Sequence, residues 1–359
     1  MTGRVTTPIA MPSPRVPMES SAPPRTGEND WAAAVAAVRS LRADDVVLLA
    51  CHVNPDGDAL GSMLGTAIGL RRLGLRKVVA SFPGPLDVPE PFRALPGLDL
   101  LVAADEAPRD PALMLCFDAA SAGRLGALAE RMGPTTIVLD HHASNTRFGG
   151  INLVDPTAAA TSVVADQLLA RLGVPLDRDI AECLYVALAT DTGSFRFEMT
   201  TPSVHEFAAR LLAAGVRPAE IARRVFDSRP FGAVRLYGDV LARAELEPTA
   251  AGGHGLVWTY ATLDDLDRHQ QRPYVLEALI DAVRAADEAD VACLVKQVSQ
   301  AEWAVSMRSK GAVDVSRVAV ALGGGGHRLA AGFTGYGLIT EVIHAIRQTL
   351  DAAVVEDQG

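Results

Sequence analysis

Apolar stretches that lack two-residue alternation recur through the first half of the chain: "DVVLLACH" from Asp45, "KVVASF" from Lys77, "ALMLCFDAA" from Ala112 and "TTIVLDHHAS" from Thr135. Each reads as a strand buried on both faces, and segments of helical spacing separate them. One of these, "DALGSMLGTAIGLRRLG", is rich in small residues that allow close packing on a sheet. Continuous apolar strands alternating with helices predict a mostly parallel sheet covered on both sides. Residues 158–228 read as helical throughout. From about residue 232 a long helical stretch leads into a strand at "GHGLVWTYA". A helix at "PYVLEALIDAVRAAD" follows, then a hairpin of "ADVACLVKQVS" with "EWAVSMRS", the glycine-rich "GGGGHRLAAGF", and an amphipathic helix near 338–352. The fold class expected is α/β: a mostly parallel sheet sandwiched by helices, plus a smaller α/β C-terminal domain, with a cleft between them. The boundaries are a disordered leader over 1–28, a first domain over 29–200, a helical linker over 201–235 and a second domain over 236–352.

Composition narrows the class. A chain of 359 residues with 49% hydrophobic and 21% charged residues has material for two cores. No uncharged apolar run reaches the length of a membrane span, so no membrane is expected. The proline-rich start has no apolar segment of the signal-peptide kind. Cys51, Cys116, Cys183 and Cys293 stand singly in apolar stretches without CxxC spacing, which fits free thiols in a reducing, cytoplasmic setting. The formal net charge of −10 argues against a grip on long nucleic acid and leaves short phosphorylated ligands, held by metals or clustered arginines.

Candidate chemistry gathers where the predicted strands end. In open α/β sheets ligands bind at the carboxyl ends of the strands. His52, Asp118, Asp140, His141 and His142 each close or follow an apolar run, so the fold would collect them on one edge. Asp56 and Asp58 flank Gly57, and a tight loop there can turn both carboxylates toward one point. Helix capping by the two aspartates is the plain alternative. Asp191, in "ATDTGSFRF", ends an apolar helical run. Imidazoles with several carboxylates and no cysteine suit manganese or magnesium. Six such donors, His52, Asp56, Asp58, Asp118, His141 and Asp191, suit two ions sharing a carboxylate, spaced roughly 3.5–4 Å. In the second domain, Gly324, Gly325 and Gly326 could converge backbone N–H groups on an anion beside His327 and Arg328. Arg308, with Ser309 and Lys310, could hold a phosphate bidentately. A flexible loop and an exposed basic edge are the respective alternatives.

"HVNPDGDALGS", "FDAA", "LDHHASN" and "ATDTGSFRF", in that order, resemble the four motifs of the DHH phosphoesterase family. "GGGGHRLAAGF" resembles the signature of the DHH-associated C-terminal domain. The resemblance covers roughly residues 30–350. It implies two Mn2+ ions (Mg2+ as a substitute), one on His52, Asp56 and Asp118, the other on Asp58, Asp118, His141 and Asp191, with Asp118 bridging. It also implies that His142 acts near the scissile phosphate and that Asp140 orients the histidines. Arg308, Ser309, the glycines and His327 would grip the rest of the nucleotide. A chain with two domains and no membrane segment looks most like the nanoRNase/pAp-phosphatase branch. That branch trims short oligoribonucleotides to mononucleotides and converts 3′-phosphoadenosine 5′-phosphate (pAp) to AMP. Short oligoribonucleotides and adenine nucleotides are thus the expected partners, and a homodimer is compatible. Cyclic di-AMP hydrolysis and a non-catalytic nucleotide or metal sensor are the alternatives.

Overall fold

A computed structural model describes residues 26–357. The leader expected over 1–28 therefore lies outside the described residues up to residue 25, and α1 (Glu28–Arg39) already includes its last position. Four apolar runs become the parallel strands β1 (Val46–Cys51), β2 (Lys77–Ser81), β3 (Leu113–Phe117) and β4 (Thr136–Asp140). A fifth strand, β5 (Ile151–Val154), pairs parallel with β4. With only four residues, half of them partly exposed, it carries too little periodicity to stand out in the sequence.

The strand order is β2-β1-β3-β4-β5. The chain leaves β1 toward one edge and returns to β3 on its other side. The ends of β1 and β3 therefore flank the point where the winding reverses, the usual ligand position in such sheets. Between β1 and β2 runs α2 (Gly57–Arg72); after β5 come α3 (Thr161–Leu172) and α4 (Arg178–Asp191).

The glycines of α2 face neighbouring helices and not the sheet that the sequence suggested. Gly57, Gly61, Gly65 and Gly69 repeat every four residues on one face of the helix. A Cβ at Gly57 would fall 2.6 Å from Thr190 Oγ1, one at Gly61 2.9 Å from Ala187 Cβ, and one at Gly65 3.2 Å from Cys183 Cβ. The stripe lets α2 lie antiparallel against α4 and brings the start of α2 to the end of α4. Asp58 and Asp191 sit at those two ends.

Next come α5 (Pro202–Ala213) and α6 (Pro218–Val225). They were expected to belong to a linker, but Val204, Phe207, Leu211 and Ile221 enter the same core as α2 and α4.

The second sheet follows α7 (Phe231–Ala242) and runs β10-β11-β9-β8-β7-β6. Its strands are β6 (Glu245–Glu247), β7 (Leu256–Ala261), β8 (Val291–Ser299), β9 (Glu302–Ser309), β10 (Gly325–His327) and β11 (Ala330–Tyr336). Only β7 and β8 pair in parallel; β8 and β9 form the expected hairpin. On one face α7, α8 (Leu263–Arg268) and α9 (Leu279–Arg284) bury a core with Leu236, Leu266 and Leu294. The other face packs on α10 (Val315–Ala321) and α11 (Ile339–Asp357), burying Val318 and Ile346. The helix expected at "PYVLEALIDAVRAAD" is broken into a 3₁₀ turn at Pro273–Leu276 and α9.

The two units meet through Arg272 and Asp87, Tyr274 Oη and Glu90 (3.1 Å), Arg196 and Asp281 (3.8 Å), and Arg284 over the Phe197 ring (4.9 Å). Among the described residues no helix is long and apolar enough to cross a membrane.

Candidate active site

His52 follows β1, Asp118 follows β3, and Asp140, His141 and His142 end and follow β4, so one sheet edge collects all five. Asp118 adopts a left-handed backbone, φ 53°, which few non-glycine residues do and which costs about 1–2 kcal/mol. Such strain persists where surrounding structure imposes it, typically at functional sites. Asp56 is both things the sequence allowed. It caps α2 by accepting from Ala59 N (3.0 Å), and its carboxylate lies 3.9 Å from His52 Nε2.

Three groups of donors share Asp118: one with Asp140 and His142, and two made of the residues expected to hold metal. Ligand atoms of His52, Asp56 and Asp118 lie within 4.8 Å of one another, and so do those of Asp58, Asp118 and His141. His52 Nε2 is 3.4 Å from Asp118 Oδ2, and His141 Nε2 is 3.8 Å from Asp118 Oδ1. Each carboxylate oxygen thus faces a different group. His141 Nε2 is also 3.0 Å from Asp191 and 3.7 Å from Asp58. The Nδ1 atoms are already engaged: His52 Nδ1 donates to Val53 O (2.8 Å) and His141 Nδ1 to Ala158 O (3.2 Å). Backbone carbonyls so fix the tautomer that leaves Nε2 as a lone-pair donor, the usual support for a metal-bound imidazole.

The electrostatics call for a cation. Asp58 is fully buried, and desolvation, reinforced by Asp118 and Asp191, raises its carboxyl well above the usual range. Burial would raise Asp118 too, but His52, His142 and His141 hold it low. Burial likewise opposes charge on His141, yet Asp191, Asp58 and Asp118 raise it well above the imidazole range. Buried carboxylates clustered in this way favour positive charge beside them. Divalent ions would supply that charge in place of protons. The donors present therefore fit a metal centre.

Around this centre, Asp140 receives three donors: His141 N (2.8 Å), His142 Nδ1 (2.8 Å) and Asn145 Nδ2 (2.5 Å). Asp140 and Asn145 lock His142 so that its free nitrogen is Nε2. From the second domain, His327 stacks on His142 at 4.8 Å between ring centroids and sits 4.9 Å from His141. Its Nε2 is buried without a hydrogen-bond partner, as is Arg308 Nε. Burial, then His141 and His142, lower the His327 imidazole to about 4, which keeps it neutral near pH 7.

Two expectations for this domain change. Gly324–Gly326 are not a free loop. Gly325 and Gly326 belong to β10, paired with Gly332 and Ala331 of β11. Gly324 and Gly326 are needed for close approach: a Cβ on Gly326, at φ 137°, would meet Ala330 O at 2.6 Å, whereas one on Gly325 would meet only Ser144 Oγ at 3.9 Å. Ser309 has other partners. Alternation along β9 turns it away from the face that carries Arg308. Its hydroxyl donates to Asp290 (2.8 Å) and accepts from Gly311 N (2.9 Å). Sequence reading missed Asn145 and Thr161. Asn145 lies inside the "DHHASN" stretch, and Thr161 opens a helical run, which are the only signals either offered.

Comparisons with known proteins agree with this architecture. The family model described as "DHH family, N-terminal domain" matches residues 46–188, and the "DHHA1 domain" matches residues 258–356. The chain is 34% identical over 313 residues to the "Bifunctional oligoribonuclease and PAP phosphatase NrnA" of Thermus thermophilus, covering 86% of this chain and 91% of that one. It is 25% identical over 306 residues to the Bacillus subtilis protein of the same name, covering 83% and 92%. Among solved structures, an exopolyphosphatase-related protein from Bacteroides fragilis superposes with a TM-score of 0.80 at 21% identity, covering 93% of this chain and 98% of that one. With two domain matches in sequence order and a relative this similar across most of both chains, the protein belongs to the DHH family and carries a DHHA1 domain after its DHH domain.

Proposed function

We propose that this chain hydrolyses short oligoribonucleotides, pApA among them, to mononucleotides, and pAp to AMP and phosphate, with two divalent cations, manganese first and magnesium as substitute. The observation that carries the reading is that the His52–Asp56 donors and the Asp58–His141 donors share Asp118. His52, Asp56 and Asp118 would hold one ion, and Asp58, Asp118, His141 and Asp191 the other. Bound there, the ions would lower the pKa of a water and offset charge on the phosphoryl oxygens. The substrate class follows the relatives in Thermus thermophilus and Bacillus subtilis, whose names state both activities.

The protein's own groups do the rest. Asp140 holds His142 by Nδ1, so its Nε2 is left to hydrogen-bond a phosphoryl or leaving oxygen. Neutral His327 and the buried Arg308, each with an unpartnered nitrogen, are suited to a second phosphate or a ribose at a set distance from the carboxylates. A grip of that kind measures length, in keeping with a net charge of −10 that repels long polyanions.

The test is AMP release from pApA and from pAp with Mn2+. Turnover is expected for both, lost with EDTA and restored by excess Mn2+. D118N should be inactive yet folded, because asparagine tolerates the left-handed backbone at that position. No AMP from either substrate with either metal, or a rate indifferent to chelation, would overturn the proposal.

A further inference from the structure

We propose that Thr161 is a positioning residue that sets the two buried carboxylates Asp58 and Asp118 relative to each other, one through its N–H and the other through its hydroxyl. The inference rests on the two-cation reading of those carboxylates.

Thr161 is fully buried and is the first residue of α3. The residue before it, Ala160, has no side chain with which to cap the helix, so the first N–H groups need an acceptor from elsewhere. Asp58, at the start of α2, provides it. Its Oδ2 accepts from Thr161 N at 2.7 Å and its Oδ1 from Ser162 N at 3.2 Å. Ser62 Oγ donates to the same Oδ1 at 2.9 Å. A carboxylate from one helix therefore caps another, where the helix dipole also favours it.

The side chain of the same threonine reaches the other way. Its Oγ1 donates to Asp118 Oδ1 at 3.1 Å. The imidazoles around Asp118 stand farther off, at 3.4 Å for His52, 3.5 Å for His142 and 3.8 Å for His141. The hydroxyl is thus the short contact that fixes rotation of the carboxylate. It holds Oδ1 on the His141 side and leaves Oδ2 to the His52 side. A carboxylate on a left-handed backbone has its Cβ aimed in a direction no regular strand would give. The tether decides which oxygen faces which group. A residue that only filled the core would need the methyl and not the hydroxyl.

That distinction sets the test, on the full chain stripped of metal. T161V keeps the shape and the N–H but lacks the hydroxyl, while T161S keeps the hydroxyl and lacks the methyl. Calorimetric titration with Mn2+ should show T161V weakened about 10–100-fold, the usual effect of removing a group that supports a metal ligand. T161S should bind like the parent. With pApA, T161V should lose kcat with little change in KM. T161A carries the same comparison if the valine variant does not fold by far-UV circular dichroism. Parent-like Mn2+ affinity in T161V, or an equal loss in T161S, would overturn the role of the hydroxyl. A parent protein that binds no Mn2+ would instead overturn the two-cation reading beneath it.

Discussion

Replacing Gly61 with alanine tests whether the contact between α2 and α4 sets the geometry of the site. The added Cβ would lie 2.9 Å from Ala187 Cβ and 3.1 Å from Ala187 N, and closer still to the Cys183 carbonyl. Carbon atoms settle at about 3.5–4.0 Å, so the helices must part by about 1 Å. Neither neighbour is the far end of a flexible side chain. Overpacking of this kind costs about 1–3 kcal/mol, against about 1 kcal/mol gained from the better helix propensity of alanine. The net expected is a loss of up to about 2 kcal/mol, read as a lower urea midpoint at unchanged slope. The larger effect should fall on function. Asp58 opens α2 and Asp191 closes α4, and both face His141. A displacement near 1 Å between them can cost on the order of 10²-fold in turnover. Gly238 provides the control: it is exposed in α7, and nothing lies within 4 Å of an added Cβ. G238A should gain up to about 1 kcal/mol and keep full activity. A G61A enzyme with parent stability and parent Mn2+-dependent turnover would refute the link between helix spacing and site.

R308A should raise KM for pApA while leaving Mn2+ affinity at the parent value, since Arg308 stands in the second domain with an unpartnered Nε; an equal loss of metal affinity would contradict that division of labour. In the second domain, burial opposes charge on Asp265, but the bidentate Arg243 (2.7 and 2.9 Å), helped by Thr262, lowers its carboxyl to about 2. That pairing contributes roughly 2 kcal/mol at neutral pH, is fully present above the unfolded value near 4, and is lost as pH falls through about 2. The stability difference between the parent and D265N, from urea midpoints, should shrink over that acid window; a difference independent of pH would refute the assignment.

The residues that were legible in the sequence are those whose chemistry is local. An apolar run followed at once by His52, Asp118 or His141 announces a strand with a polar group at its mouth, and a parallel sheet brings such mouths together. What sequence could not supply is the direction each residue faces, since that depends on partners distant in the chain. Arg308 and Ser309 look like one basic cluster, yet strand alternation sends them to opposite faces, and only Arg308 keeps an unpartnered nitrogen. Gly324–Gly326 have the composition of a phosphate loop, but Gly324 and Gly326 answer to β11 lying against them. Gly57 looked like the hinge between two carboxylates, and its requirement is instead the Thr190 side chain of α4. Thr161 shows the limit most clearly. A threonine at the start of a helix predicts nothing about two aspartates lying 103 and 43 residues upstream, and only their arrival at its N–H and hydroxyl gives it a role. In this fold the ligating residue types are written at strand ends, whereas the geometry that would make them a working centre is held by glycines and hydroxyls whose meaning is tertiary.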